Sequence, residues 1–202
     1  DVEHLIGVLR GFRAKYPHLQ VILEPGSAIA WDTGVLVASV LDVVKNKGIK
    51  TAILDVSFTA HMPDTLEMPY RPRVRNANAE PTPSDKYQYR LGGVSCLSGD
   101  FMTEYGFDKP LKVGQKLVFE DMIHYTMVKT TTFNGVTHPG IAIWRENDRL
   151  DVVRKFGYRD YKTACRKKTG NKTVIKKQQE SVCADWLLFS SGRSRRVQAK
   201  MK

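Results

Sequence analysis

Leu19-Gln20-Val21-Ile22-Leu23-Glu24-Pro25-Gly26 is the stretch that decides how the start of the chain is read. Leu19 to Leu23 is an apolar run short enough to be a buried strand, and Glu24-Pro25-Gly26 stops it with a turn. Upstream, Leu5, Ile6, Val8, Leu9 and Phe12 fall at roughly helical spacing with Arg10, Arg13 and Lys15 between them. Val2 to Lys15 is therefore predicted as an amphipathic helix, ended by Pro17. Downstream, Val35, Leu36, Val37, Val40, Leu41, Val43 and Val44 form a second apolar segment, predicted as a helix. It closes at Asn46-Lys47-Gly48, with Gly48 suited to the left-handed residue past a helix end. Helix, strand, glycine turn and helix make one parallel α/β unit.

Beyond Gly48 the pattern changes. Lys50 to Phe58 reads as a strand, Thr59 to Met68 as a loop with a short helical turn, and Arg71 to Asp85, with Pro72, Pro81 and Pro83, as an irregular loop. Tyr87 to Ser95, Gln115 to Glu120, Ile123 to Thr131, Gly140 to Trp144 and Leu150 to Phe156 are rich in Val, Ile, Thr, Tyr and Phe. They are predicted as strands of an antiparallel β domain. The expected fold class is α/β followed by all-β, with no internal repeat.

A chain of 202 residues with 42% apolar side chains can build a sizeable core without disulfides or metals. No run of eighteen apolar residues occurs, so no membrane span is expected. No charged segment leads into an apolar one at the start, so no signal peptide is expected. The first residue is Asp1, and the expectation is a chain that begins inside a longer protein. Cys96, Cys165 and Cys183 lack metal-ligand spacing and are odd in number, which suits a reducing, cytoplasmic setting.

The net charge of +11 invites a nucleic-acid partner, but it is unevenly placed: residues 164–202 carry +9 and residues 1–163 only +2. In the tail, Arg166-Lys167-Lys168, Lys176-Lys177 and Arg193-Ser194-Arg195-Arg196 alternate with polar residues around one apolar cluster, Trp186-Leu187-Leu188-Phe189. Disorder, or a loosely attached helix, is expected there.

Three motifs can carry chemistry. Glu24-Pro25-Gly26 offers a carboxylate for a heterocyclic nitrogen and a glycine where backbone N–H groups can approach a phosphate; a simple turn and cap is the alternative. Gly92-Gly93-Val94-Ser95-Cys96-Leu97-Ser98-Gly99-Asp100 sets a thiol among small residues near an acid, or else buries a cysteine beside a glycine turn. Phe119-Glu120-Asp121-Met122-Ile123-His124-Tyr125, followed by Phe133-Asn134-Gly135, holds a tyrosine that could bond a phosphate oxygen or could be a strand aromatic of the core.

In this order the three motifs resemble the barrel-fold, pyridoxal-phosphate-dependent decarboxylases of basic amino acids, the ornithine and diaminopimelate decarboxylase family. Leu23 to Gly34, Asp55 to Tyr70, Gly92 to Phe107 and Phe119 to Gly135 look like the carboxynorspermidine/carboxyspermidine decarboxylases in particular, over about residues 1 to 162. The resemblance implies the last units of an alanine-racemase-like (β/α)8 barrel over 1–48, a C-terminal antiparallel β domain over 49–162, and a basic, disordered or non-homologous tail over 163–202. It implies pyridoxal 5'-phosphate as cofactor and a head-to-tail homodimer with the active site at its interface. The implied activity is a lyase of polyamine biosynthesis that decarboxylates a carboxylated triamine to norspermidine or spermidine.

Residue by residue, the resemblance makes Glu24 the partner of the pyridine nitrogen and Gly26 the glycine near the phosphate. Ser27 stands where relatives usually have a phosphate-binding arginine. Tyr125 matches the tyrosine on the cofactor phosphate. Cys96 matches the cysteine that gives a proton near the substrate Cα from across the dimer interface. Relatives place an acid directly after that cysteine; this chain has Leu97, and Asp100 is the next candidate. Asp64 matches the substrate-binding aspartate, and a helix N-cap is its local alternative. His61 joins it as a candidate substrate contact, with His124 beside Tyr125.

The family's cofactor lysine lies in an early barrel strand with no counterpart here, while Lys45, Lys47 and Lys50 read as solvated partners of element ends. The chain alone is therefore expected to be inactive. A basic nucleic-acid-binding protein acting through the tail, or an inactive gene fragment, are the alternatives.

Overall fold

The computed structural model describes residues 1–165 and the backbone of residues 185–189. Helix α1 (Val2–Lys15) forms as its spacing requires. The Asp1 carboxylate caps it by accepting the N–H groups of Glu3 and His4, and Arg13 and Lys15 occupy the last turn, where the helix dipole favours cations. Its apolar residues are not buried.

Leu19–Leu23 is not a strand. The segment runs as irregular chain into α2 (Gly26–Ala30), with Leu19, Ile22 and Leu23 exposed. A strand needs a neighbour for its N–H and C=O groups, and none among the described residues lies beside this one.

The second apolar segment is a strand, β1 (Gly34–Asn46), instead of the expected helix. Leu36, Ala38 and Val40 enter the main core, while Val35 and Val37 face a smaller cluster with Val118 and Ala142. Burial on both faces erases the alternation that normally marks a strand, leaving a continuous apolar run. Its valines suit a strand through their stiff, branched side chains. Gly48 is left-handed as expected (φ 87°), but as half of a two-residue hairpin turn with Lys47 (φ 46°) that pairs β1 with β2 (Ile49–Leu54). The sheet therefore begins at Gly34, not after residue 48.

The chain continues through two short helices, α3 (Phe58–His61) and α4 (Asp64–Glu67), then β3 (Ala77–Asn78), β4 (Tyr87–Gly92), β5 (Phe101–Phe107), β6 (Lys116–Glu120), β7 (Gly140–Trp144), β8 (Leu150–Arg154), α5 (Tyr158–Cys165) and β9 (Asp185–Phe189). The strands join in the order β3-β5-β4-β2-β1-β9-β7-β8, with β6 also on β1. The pairs β2–β4 and β7–β9 are parallel and the others antiparallel, so the sheet is mixed instead of antiparallel throughout.

Ile123 to Thr131 is a loop with a 3-10 turn at Met127–Lys129, not a strand. Its backbone bonds locally, as from Val128 N–H to His124 C=O, or to α3, as from Thr131 N–H to Ala60 C=O at 2.8 Å.

The tail expectation also changes. The backbone of Asp185–Phe189 is a strand set between β1, antiparallel from Gly34↔Leu188 to Val37↔Asp185, and β7, parallel. The basic clusters of 166–168, 176–177 and 193–196, and Cys183, lie outside the described residues.

Leu36, Leu54, Phe58, Leu91, Tyr105 and Phe119 are wholly buried in one core, where the Phe58 and Phe119 rings meet edge to face at 5.9 Å. Among the described residues no helix is long and apolar enough to cross a membrane.

Candidate active site

Hydrogen bonds tie together the segments that carry the candidate residues. Val94 N–H reaches Val56 C=O at 3.1 Å, joining the turn after β4 to the entry of α3. Thr131 N–H to Ala60 C=O joins α3 to the loop after β6. Met122 N–H to Gly34 C=O (3.0 Å) and Asp32 N–H to the Asp121 carboxylate (2.8 Å) join that loop to the corner between α2 and β1.

Cys96 is a free, exposed thiol, which removes the buried-cysteine alternative. Its Sγ lies 3.4 Å from Asn134 Oδ1, the S–H donating. Asn134 has φ 57° and Gly135 φ 71°, so this Asn-Gly pair does supply a left-handed turn.

Asp100 is only 5% exposed. Its Oδ1 accepts Thr59 N–H (3.0 Å), and its Oδ2 accepts both the N–H (3.0 Å) and the hydroxyl (2.7 Å) of Ser95. Both oxygens are thus taken by the protein itself and not presented to a ligand.

His61 corrects the sequence expectation outright. It is wholly buried at the end of α3, and its Nδ1 accepts the Ser57 N–H at 3.2 Å. Burial, and then His138, lower its pKa to about 4, against smaller upward pulls from Asp100 and the Thr137 carbonyl. Nε2 feels that carbonyl without closing a hydrogen bond. A ring so enclosed cannot meet a solvated substrate. It is a core histidine that holds the Ser57 turn.

Asp64 lies inside α4, whose N-cap is Pro63, and it makes no capping bond. Its Oδ2 accepts the Tyr70 hydroxyl at 2.7 Å, while Oδ1 is enclosed and without a partner. Burial first, then the bond to Asp64 and the nearby Asp121 charge, hold the Tyr70 phenol protonated well beyond the ordinary tyrosine range. Beyond Asp64, Glu67 pairs with Lys129, closing α4 onto the loop after β6.

Glu24 is exposed on the irregular segment, Gly26 opens α2 with free space around its Cα, and Ser27 is half-buried. Tyr125 is 59% exposed, so it is not a core strand aromatic. It follows His124, whose ring stacks on Trp31 at 6.2 Å and whose Nε2 stands 3.2 Å from Asp121 Oδ1, an ion pair whenever the ring is protonated. The loop bearing Tyr125 is thereby fastened to the corner that follows Gly26 and Ser27.

Chemically, a carboxylate, a serine hydroxyl, a tyrosine hydroxyl and an open glycine at a helix start are the groups that a pyridinium ring and a phosphate require. No group of three metal-ligating side chains converges among the described residues. Sequence reasoning missed Tyr70, Asp121 and the amide of Asn134. Of these only Asn134 carried a local signal, the Asn-Gly turn.

The fold is a mixed sheet with an exposed cysteine on one turn and, at a neighbouring corner, the loop that carries Tyr125 fastened beside α2. Residues 27–123 match the family described as the pyridoxal-dependent decarboxylase C-terminal sheet domain, and the chain carries that domain. More particularly, it is 56% identical over 162 residues to the carboxyaminopropylagmatine decarboxylase of Synechocystis sp., covering 80% of this chain and 41% of that protein. It is 48% identical over 170 residues to the carboxynorspermidine/carboxyspermidine decarboxylase of Campylobacter jejuni, covering 80% of this chain and 44% of that protein. The crystal structure of carboxynorspermidine decarboxylase from Campylobacter jejuni, complexed with norspermidine, superposes with a TM-score of 0.72 at 46% identity, over 81% of this chain and 47% of that one. The chain therefore spans less than half the length of these relatives.

Proposed function

We propose that this chain supplies the C-terminal part of a pyridoxal-phosphate-dependent carboxy-lyase of polyamine biosynthesis, acting on carboxynorspermidine or carboxyspermidine. The observation that carries this is the exposed Cys96 thiol, hydrogen-bonded to Asn134, in a chain 46% identical over 81% of its length to a norspermidine-bound decarboxylase.

In this reading residues 1–30 end a barrel and the β domain runs from Gly34. Glu24 would pair with the pyridine nitrogen and favour its protonated form, and the backbone of Gly26 with the hydroxyls of Ser27 and Tyr125 would hold the phosphate. When bound, pyridoxal phosphate delocalises the electron pair left at the substrate Cα. The Cα–carboxylate bond breaks, CO2 departs, Cys96 Sγ delivers its proton to Cα, and solvent returns a proton to the sulfur. Asp64 attracts a distal ammonium of the polyamine through the negative charge of its carboxylate. A homodimer would let Cys96 of one subunit serve the cofactor of the other.

The 56% identity to the Synechocystis sp. relative favours a second substrate, carboxyaminopropylagmatine. Its guanidinium would prefer both oxygens of a carboxylate, whereas Tyr70 already holds Asp64 Oδ2, so bidentate pairing is disfavoured there. Joining these 202 residues to the N-terminal part of the Campylobacter jejuni relative and measuring CO2 release from all three substrates decides between them. Faster turnover of the two triamine acids is expected. A preference for the guanidino substrate would move the assignment to it, and no release from any, by a folded protein, would overturn the proposal.

A further inference from the structure

We propose that Asn134 is the positioning residue of the Cys96 thiol, which rests on the reading of Cys96 as the proton donor at the substrate carbon. The turn that bears Cys96 is fixed at both ends: Gly93 N–H bonds Asp100 C=O at 2.7 Å, and the Asp100 carboxylate clamps Ser95 and Thr59. This locks the Cys96 backbone but leaves its side chain free to turn among three staggered positions, because the thiol is exposed. Among the described residues one hydrogen bond selects one of them, that to Asn134 Oδ1.

The other side of that bond is equally rigid. Asn134 stands on a turn closed by Gly135 N–H to Thr132 C=O (2.8 Å) and Val136 N–H to Phe133 C=O (3.1 Å), and this turn is anchored to α3 through Thr131. Its left-handed backbone admits Asn, Asp or Gly far more readily than other residues. Among these, only Asn offers the sulfur a neutral acceptor. Glycine offers none, and aspartate would set a negative charge against the thiolate that must form when the proton leaves. Asn134 therefore aims the S–H while leaving its proton transferable.

The test uses the 202-residue chain and alkylation by iodoacetamide, read peptide by peptide from pH 6 to 10, with the exposed Cys165 as reference within the same molecule. Asn134→Gly keeps the backbone conformation and removes the amide. It should raise the alkylation rate of Cys96 relative to Cys165 by roughly 2- to 10-fold, the worth of one modest hydrogen bond. Asn134→Asp should move the midpoint of the Cys96 profile upward by about one pH unit and leave that of Cys165 in place. No change in the ratio of the two cysteines for either variant would overturn the proposal. A Cys96 profile that responds, alongside decarboxylation by the joined enzyme that survives Cys96→Ala, would uphold the pairing and reject the proton-donor reading beneath it.

Discussion

The Asp100 carboxylate lies against the Cα of Gly93, so that a methyl group on that carbon would come within 2.6 Å of both oxygens. Only glycine lets the two ends of the Cys96 turn close on each other, and the closed turn is what puts one Asp100 oxygen on Thr59 and the other on Ser95. The same acid that the sequence offered as a substrate contact is thus part of the frame that holds the cysteine.

Gly93→Ala should push the carboxylate off its partners and cost about 2 kcal/mol. Asp100→Ala, which strands the part-buried donors of Thr59 and Ser95, should cost about 2–3 kcal/mol. Urea denaturation of the two variants measures both losses, and Gly99→Ala, where a side chain meets open space, is the control expected to change little.

His61 makes stability depend on pH. Unfolded, it takes a proton near 6.5; folded, not until about 4. Between these values the unfolded chain binds the extra proton, so the contribution is complete above pH 6.5 and drains away as the pH falls. The loss reaches about 3 kcal/mol by pH 4. His61→Asn keeps an acceptor for Ser57 N–H and cannot titrate. Its urea midpoint should vary less between pH 7.5 and pH 4.5 than that of the unaltered chain.

Strand β9 binds the tail into the sheet. A chain ended at residue 184 should melt several degrees lower, at about 2–4 °C for each kcal/mol lost. Leu187→Pro, which removes an N–H from the middle of this doubly flanked strand, should do the same. Equal melting temperatures for the truncated and intact chains would dissolve the strand.

Tyr70→Phe should loosen Asp64 without touching the proton donor. In the joined enzyme we expect KM for a polyamine acid to rise about 3- to 10-fold with kcat nearly unchanged, the signature of lost uniform binding. Asp64→Asn should raise KM further.

How much of this was legible in the sequence depended on how many faces each segment buries. Strands β4, β6, β7 and β8, and helix α1, carried their pattern openly. Strand β1 did not, because Leu36 and Val37 enter different clusters and Val35 to Ala38 are apolar on both faces. Strand β5 was missed for another reason: a register shift opposite Tyr89 and Leu91 places its buried Met102 and Tyr105 three apart instead of two. At the site, the glycine-rich frame of Cys96 left an exposed and a buried thiol both open, and the structure has it exposed. The amide that meets this thiol lies 38 positions away, and His61 is enclosed beside Asp100 and His138, residues 39 and 77 positions further along the chain. Neither has a local signature.

The most direct measurement is the turnover of the joined enzyme with Cys96 replaced by alanine. If Cys96 protonates the substrate carbon, kcat for the triamine acids falls about 100-fold or more while cofactor binding and folding persist. A Cys96→Ala enzyme that releases product at the unaltered rate would contradict the account.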